Sequence, residues 1–163
     1  MKKNSEYMKW ILKVLFFLAC CYISLTFTIE VAKNKDRKIQ KFKSYYNLLC
    51  RWKTVDADSL ERYFLNQGIC KIAIYGVGKM AELFYNQMKT SGIKMEYFID
   101  RCAYVSSYMN LPLYEPNELL PDVEAIIVTP YLEMDIIKKN CSVNNKNMKY
   151  ISLEEVINEA EKL

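Results

Sequence analysis

Two glycines that follow a short apolar run have the spacing of a phosphate-binding turn. Lys71–Tyr75 (KIAIY) reads as a buried strand, and the next residues give G-x-G-x-x-A at the start of a helical pattern. The first glycine permits a tight turn, the second lets a pyrophosphate approach the backbone, and the alanine lets the helix pack on the strand. Backbone N–H groups at a helix N-terminus then bind the anion. The predicted cofactor-binding residues of this turn are Gly76, Gly78, Lys79, Met80 and Ala81.

Four further residues are predicted at the same edge of a parallel sheet. Asp100 closes the second predicted strand, 24 positions after Gly76, where a carboxylate meets ribose hydroxyls in dinucleotide sites. Such a carboxylate favours NAD-like over NADP-like ligands, whereas Arg101 beside it argues the other way. Thr129 and Pro130 end the most apolar strand and are expected to line the same crevice.

A purely structural interpretation of this pattern stays open. In that interpretation Gly76 and Gly78 serve only the turn, and Asp100 caps the following helix. The context of strand, glycine turn, helix and second strand favours ligand binding.

Catalytic and metal-binding residues are not evident. The chain has no histidine, and its six cysteines contain no C-x-x-C pair, which argues against a zinc site. The low cysteine fraction predicts reduced thiols in a cytosolic domain. Tyr85 and Lys89 match a Y-x-x-x-K pattern of short-chain dehydrogenases, but they fall on the first helix of the domain, where that pair does not lie. We expect no catalytic residue, no metal and no autonomous catalysis, while the question of an enzymatic activity stays open.

Strand and helix patterns alternate from residue 68 onward. This alternation predicts an α/β domain over residues 68–163: a small Rossmann-like parallel sheet of about five strands with helices on both faces. A capping box at Ser152–Glu155 opens the last helix. The predicted strands are Lys71–Tyr75, Lys94–Ile99, Pro112–Tyr114, Glu124–Thr129 and Lys149–Ile151, and the other helices of the domain are Lys79–Thr90, Glu118–Leu120 and Tyr131–Asn140.

An apolar stretch near the N-terminus predicts a membrane anchor over residues 1–32. Residues 14–29 are uncharged and mostly apolar, and extension back to Trp10 gives about the 20 residues that span a bilayer. A secretory signal peptide is the alternative, but no small-x-small cleavage site follows the run. The larger excess of Lys and Arg on the C-terminal flank predicts a single-pass protein of the cell membrane with its C-terminal domain in the cytoplasm.

A helical connector is predicted over residues 33–67. Apolar and aromatic residues recur there at helical spacing, with basic residues between them. Two interpretations are open: the helix lies on the inner leaflet, or it packs on the domain or on a second copy. A second short helix is predicted to start at a capping box, Asp58–Glu61, and to stop at Gly68.

The charge of the chain is divided unevenly between its two ends. Residues 1–53 carry a balance of +9, and residues 54–163 a balance of −5. A mildly acidic domain argues against nucleic acid as its ligand. Because the basic residues flank the apolar run, membrane lipid is the expected partner of the N-terminal part.

The domain resembles a Rossmann-type module of bacterial cell-surface polysaccharide systems. The resemblance covers roughly residues 71–156, together with the aromatic-rich approach over residues 42–52, and depends on the I-Y-G-x-G turn, the F-I-D strand end, Thr129–Pro130 and the closing I-S-L-E-E. Similar modules precede the left-handed helical domain of sugar O-acyltransferases and follow the methyltransferase domain of some sugar C-methyltransferases. The resemblance implies NAD(P) or a nucleotide-activated sugar in the crevice, although no catalytic partner domain is attached here.

Three classes of function follow from these patterns. The leading one is a membrane-anchored accessory protein of exopolysaccharide or capsule assembly that binds NAD(P) or a nucleotide-sugar beside a glycosyltransferase or another assembly protein. The second is a sugar-nucleotide oxidoreductase or epimerase subunit that needs a partner. The third is a membrane scaffold with an empty crevice. A homodimer through the membrane helix or the connector is also considered.

Overall fold

A computed structural model describes residues 2–141 and 148–163 of the chain, with side chains from residue 10 onward except those of residues 11 and 14. The chain divides into two compact units, Met1–Tyr46 and Asn47–Leu163.

One continuous helix, α1 (Lys2–Trp52), replaces the separate anchor and connector helices expected from the sequence. Residues 1–67 contain neither glycine nor proline, so nothing in the sequence breaks the helix at the end of the apolar stretch. The division at residues 32 and 33 therefore has no counterpart in the backbone. The predicted connector of residues 33–67 contains the end of α1, the next helix and the turn between them.

The apolar part of α1 is long and apolar enough to cross a membrane, by length and composition. The side chains that the structure describes in this stretch are exposed, with Phe16 and Phe17 at 73% and 68%. The hydroxyls of Thr26 and Thr28 donate to helix carbonyls one turn earlier, at 2.9 and 2.8 Å. These bonds satisfy the polar groups without water, as a lipid environment requires.

The C-terminal unit begins inside α1, because Leu48 and Trp52 are buried in it. The second helix, α2 (Ala57–Asn66), begins at Asp56, whose carboxylate accepts the N–H of Ser59 at 2.7 Å. The expected cap at Asp58 was wrong by two residues, since Asp58 lies in the first turn. Gly68 adopts φ +69° just after the helix, as predicted for its stop.

A six-stranded, mostly parallel sheet forms the centre of this unit. Its order is β3-β4-β2-β1-β5-β6, and only the β3–β4 pair is antiparallel. The mixed α/β architecture and the parallel sheet are confirmed. The strands are β1 (Lys71–Tyr75), β2 (Lys94–Ile99), β3 (Ser107–Tyr108), β4 (Leu111–Tyr114), β5 (Ala125–Val128) and β6 (Lys149–Ser152).

Helices cover the two faces of the sheet unequally. On one face α2 packs against α3 (Lys79–Met88) and α5 (Leu153–Ala160). On the other face, α4 (Met134–Cys141) follows a 3₁₀ turn, Tyr131–Glu133, and covers Ala73, Tyr75 and their neighbours. As predicted, α5 starts at a cap in which Ser152 Oγ accepts the N–H of Glu155 at 3.0 Å.

Between β2 and β5 the structure has one strand that was not predicted and lacks one short helix that was. The two-residue strand β3 pairs with β4 and was not predicted, because two residues show no periodicity. The short helix expected at Glu118–Leu120 is absent, and the chain there forms a turn in which the N–H of Glu118 donates to the carbonyl of Glu115 at 3.1 Å. Pro116 and Pro121 leave too little chain between them for a helix.

Candidate functional site

The candidate site lies where the carboxyl ends of three adjacent strands meet. β1 lies between β2 and β5, with Tyr75 opposite Ile99 on one side and Val128 on the other. From β1 the chain continues to β2 and β4, whereas from β5 it continues to β6 at the other edge. In parallel α/β sheets, ligands bind beyond the carboxyl ends of the strands at such a reversal of strand order. The nine residues predicted from the sequence follow these three strands or form the first turn of α3.

The backbone conformation at residue 76 and the two residues that follow β5 both require a glycine there. Its φ is +97°, a conformation that side chains rarely adopt. A Cβ atom there would lie 2.7 Å from Thr129 Oγ1 and 2.9 Å from Pro130 Cδ. Its N–H also donates to the carbonyl of Ile99 at 2.7 Å. This glycine therefore sets the close approach of the turn to the end of β5.

Gly78 has the opposite environment. Its φ is −159°, which any residue adopts, and a Cβ atom there would meet nothing within 4 Å. It is the N-cap of α3, and in the described part of the chain no side chain caps this helix. The first N–H groups of a helix have no partner within the helix, and the positive end of the helix dipole lies at the same place, next to the open space beside Gly78. This combination can accept an anion.

Asp100 makes two hydrogen bonds to the backbone of the site. Its Oδ2 accepts the N–H of Val77 at 2.8 Å, and its Oδ1 accepts the N–H of Cys102 at 2.9 Å. One carboxylate thus fixes both the glycine turn after β1 and the chain after β2. The structure places Asp100 beside the glycine turn, as the sequence predicts, but gives it these contacts rather than a helix to cap.

The two basic residues predicted for the site are engaged in exposed ion pairs. Lys79 Nζ lies 3.0 Å from a carboxylate oxygen of Glu82, one turn along α3. Arg101, which follows β2, lies 3.5 Å from Glu133, which follows β5. Exposed pairs of this kind contribute at most about 1 kcal/mol, so a ligand phosphate can replace the carboxylate at small cost.

The remaining predicted residues have mainly packing roles. Ala81 is fully buried against the sheet, whereas Met80 is half-buried at the start of α3. Thr129 is 5% exposed, and both its hydroxyl and its N–H donate to the carbonyl of Tyr75, at 2.9 and 3.0 Å. Pro130 packs against Gly76. Thr129 therefore ties β5 to β1 and has no hydroxyl hydrogen left to offer a ligand.

A buried group that the sequence analysis did not single out lies under α4. Tyr75 is 3% exposed, its hydroxyl has no hydrogen-bond partner among the residues that the structure describes, and burial raises its pKa to about 12. Burial also raises the pKa of the Cys141 thiol to about 11 and that of Tyr150 to about 12. These groups stay protonated near neutral pH. The apolar run of β1 predicts that Tyr75 is buried, but only the packing of α4 reveals its neighbours.

No metal site accompanies these residues, since the described residues contain no group of three or more His, Cys, Asp or Glu side chains placed to hold an ion. The cysteines outside α4 that the structure describes are free and exposed.

No protein family matches the chain, and searches of curated proteins and of solved structures find no match either. The fold and the site therefore define the protein only as an α/β protein with an N-terminal helix that could span a membrane. Any assignment of function depends on the geometry of the switch point and on the resemblance noted in the sequence.

Proposed function

We propose that this chain is a membrane-anchored protein whose Rossmann-like domain binds a phosphate-bearing nucleotide at the start of α3. One observation carries the proposal: the uncapped N-terminus of α3 opens at the switch point of a parallel sheet, with free space above Gly78. The strand order without the short edge strand β3, β4-β2-β1-β5-β6, corresponds to the first five strands of the 3-2-1-4-5-6 order of dinucleotide-binding sheets, that is, one three-stranded half plus two further strands.

The phosphate would meet a limited set of donors. Val77 does not contribute, because its N–H is held by Asp100. The available donors are the amides of the first turn of α3, from Gly78 onward, and the exposed ammonium of Lys79. Such amides, together with the helix dipole, bind phosphate without a catalytic group.

The ligand class follows from Asp100 and from the resemblance. Each carboxylate oxygen accepts two hydrogen bonds, so Asp100 can hold the backbone and still accept from a ribose hydroxyl. NAD(P) and nucleotide-sugars both carry a ribose next to a pyrophosphate. We assign the protein to exopolysaccharide or capsule assembly, beside a glycosyltransferase or another assembly protein, and this assignment rests on the resemblance alone.

A second candidate is a membrane scaffold with an unused crevice. It is favoured by the contacts that the turn and its neighbours make within the protein. The Asp100 carboxylate accepts the N–H of Val77, and the Arg101–Glu133 ion pair links the chain after β2 to the chain after β5, on the two sides of β1. In a scaffold these contacts would have no ligand to compete with.

Calorimetry of the full chain in nanodiscs, with NAD, NADP, a UDP-sugar and a CDP-sugar as probes, separates the two candidates. The proposal expects saturable binding of at least one probe, lost in Gly78→Trp, which fills the open space without strain. Asn86→Trp, on an exposed position two turns further along α3, is the matched control and should bind normally. No binding of any probe, or equal binding by both variants, would contradict the proposed site.

A further inference from the structure

An exposed apolar seam runs along α1 and continues past the predicted membrane span. Seven apolar residues, together with Thr28 and Lys35, recur with alternating steps of three and four, the spacing of a two-stranded coiled coil. Every member of the seam is exposed, including Ile39 at 41%, Phe42 at 71% and Tyr46 at 58%. The seam consists of Leu18, Cys21, Leu25, Thr28, Ala32, Lys35, Ile39, Phe42 and Tyr46.

Lipid does not cover the outer end of this seam. The apolar stretch ends at Ile29, and α1 continues without a break. At 1.5 Å per residue, Phe42 lies about 20 Å further along the helix axis. The headgroup layer of one leaflet is only about 5–8 Å thick. The stacked rings of Phe42 and Tyr46, whose centroids are 6.5 Å apart, therefore stand in water unless another protein surface covers them.

We infer that a second copy of this chain covers the seam, so that two α1 helices form a parallel pair that continues from the membrane into the cytoplasmic segment. This inference rests on the membrane-anchoring part of the proposed function and not on nucleotide binding. Insertion gives every copy the same orientation, so like positions face each other across a two-fold axis. The seam is continuous with the membrane span, so the partner that fits it along its whole length is one that itself has both a membrane span and such a seam.

The surface available is sufficient for a stable pair. Large aromatic side chains bury about 150–250 Å² each, and Phe42 and Tyr46 are 71% and 58% exposed, so the four rings of two copies supply about a third of the ~1,600 Å² of a standard interface. Ile39 and the seam inside the membrane supply the rest. In the membrane, Cys21, Thr28 and Ala32 are small enough to let the two backbones approach.

The charges near the seam do not prevent this arrangement. Lys35 lies only about 9 Å beyond Ile29 along the axis, within reach of lipid phosphates for its long side chain. Lys38 would face Lys43 of the second copy, and repulsion between exposed lysines is weak and screened by salt. The opposite face of the helix carries Arg37, about 12 Å beyond Ile29 along the axis, whose charge stays in water.

Oxidative cross-linking of the full chain in membranes tests the pairing. In a chain whose exposed Cys50, Cys70 and Cys102 are replaced by serine, copper phenanthroline should link Cys21 to Cys21 of the second copy. Cys21→Ser should remove at least 80% of the dimer band, whereas Cys20→Ser should leave it intact, because Cys20 points about 100° away from the seam.

The same test applies outside the span, in a chain with Cys20 and Cys21 also replaced by serine. There Phe42→Cys should cross-link, and Arg37→Cys on the opposite face should not. Equal cross-linking on both faces, or no cross-linking at any seam position, overturns the paired seam. Extraction of the chain by alkaline carbonate overturns the anchoring itself. A chain that stays in the membrane pellet without cross-links refutes the dimer alone.

Discussion

Asp100 and Val77 are joined by a 2.8 Å hydrogen bond from the backbone N–H of Val77 to the carboxylate, across 23 residues of chain. The bond ties the end of β2 to the glycine turn after β1, and the second oxygen of the same carboxylate holds Cys102. The geometry of the turn at the candidate site therefore depends on a side chain from a neighbouring strand. A residue expected to meet a ligand also maintains the shape of the site.

Asp100→Ala should destabilise the C-terminal unit by about 2–4 kcal/mol. It removes two hydrogen bonds to a charged acceptor and leaves two backbone donors without their partner. Asp100→Asn is the matched control, since its single oxygen can still accept one of the two bonds, and its effect should be about half as large. Urea denaturation measures both. A loss below about 0.5 kcal/mol for the alanine variant would mean that water replaces the carboxylate without cost.

Alanine at Gly76 and at Gly78 should have very different effects. At Gly76 the new Cβ would have to displace Thr129 and Pro130, and φ is +97°. We therefore expect the free energy of unfolding to fall by at least about 2 kcal/mol. At Gly78 the backbone is extended and the space is open, so the change should stay within about 0.5 kcal/mol. Thermal unfolding compares the pair, and equal losses would show that the turn is built differently.

The end of α1 should be indispensable to the C-terminal unit. Leu48 is 2% and Trp52 7% exposed, and the Trp52 indole packs on Phe84 at 6.1 Å and donates to Gln87. Arg51 pairs with Glu161 of the last turn. Loss of the two buried side chains removes about 4–6 kcal/mol of apolar burial, comparable with the whole stability of a small domain.

Two fragments test this dependence. A fragment of residues 47–163 should unfold cooperatively, whereas one of residues 53–163 should show no cooperative transition. Trp52→Phe in the longer fragment should cost only about 1–2 kcal/mol, because it keeps the ring but leaves Gln87 without its donor. Similar transitions for the two fragments would place the start of the domain after Trp52.

The sequence predicted the parallel strands and their order along the chain because each strand is a short apolar run next to a strong turn or cap. Gly68 and Ser152 act through their immediate neighbours, so their roles can be read locally. The position of Asp100 beside the glycine turn also follows from sequence, because the carboxyl ends of adjacent parallel strands meet.

The hydrogen bonds and ion pairs that the site residues make within the protein could not be predicted from the sequence. The pairing of Arg101 with Glu133, and of Thr129 with the carbonyl of Tyr75, depends on which strand lies beside β1. The start of the C-terminal unit was also missed, since Leu48 and Trp52 have the same helical spacing whether they face lipid, a second copy or the domain. Periodicity identifies an apolar face but not its partner.

Alkaline pH should destabilise the C-terminal unit through the buried groups under α4. Burial raises the pKa of Cys141 from 9.0 to about 11 and that of Tyr75 from 10.0 to about 12. The folded state therefore keeps these protons after the unfolded state has lost them. The contribution of these raised pKa values to the free energy of unfolding is fully present below about pH 9. Above that pH it falls by up to about 1.4 kcal/mol per pH unit for each group, and the contribution of Cys141 is lost above about pH 11.

Cys141→Ala isolates the contribution of the thiol. The variant loses some packing at every pH, so the slope of the free energy of unfolding against pH is the quantity to compare. Urea titrations of residues 47–163 between pH 8 and 10 should give a shallower decline for the variant above pH 9. If the Cys141 variant and the unmodified fragment declined in parallel, the thiol would have to ionise as readily in the folded chain as in the unfolded one.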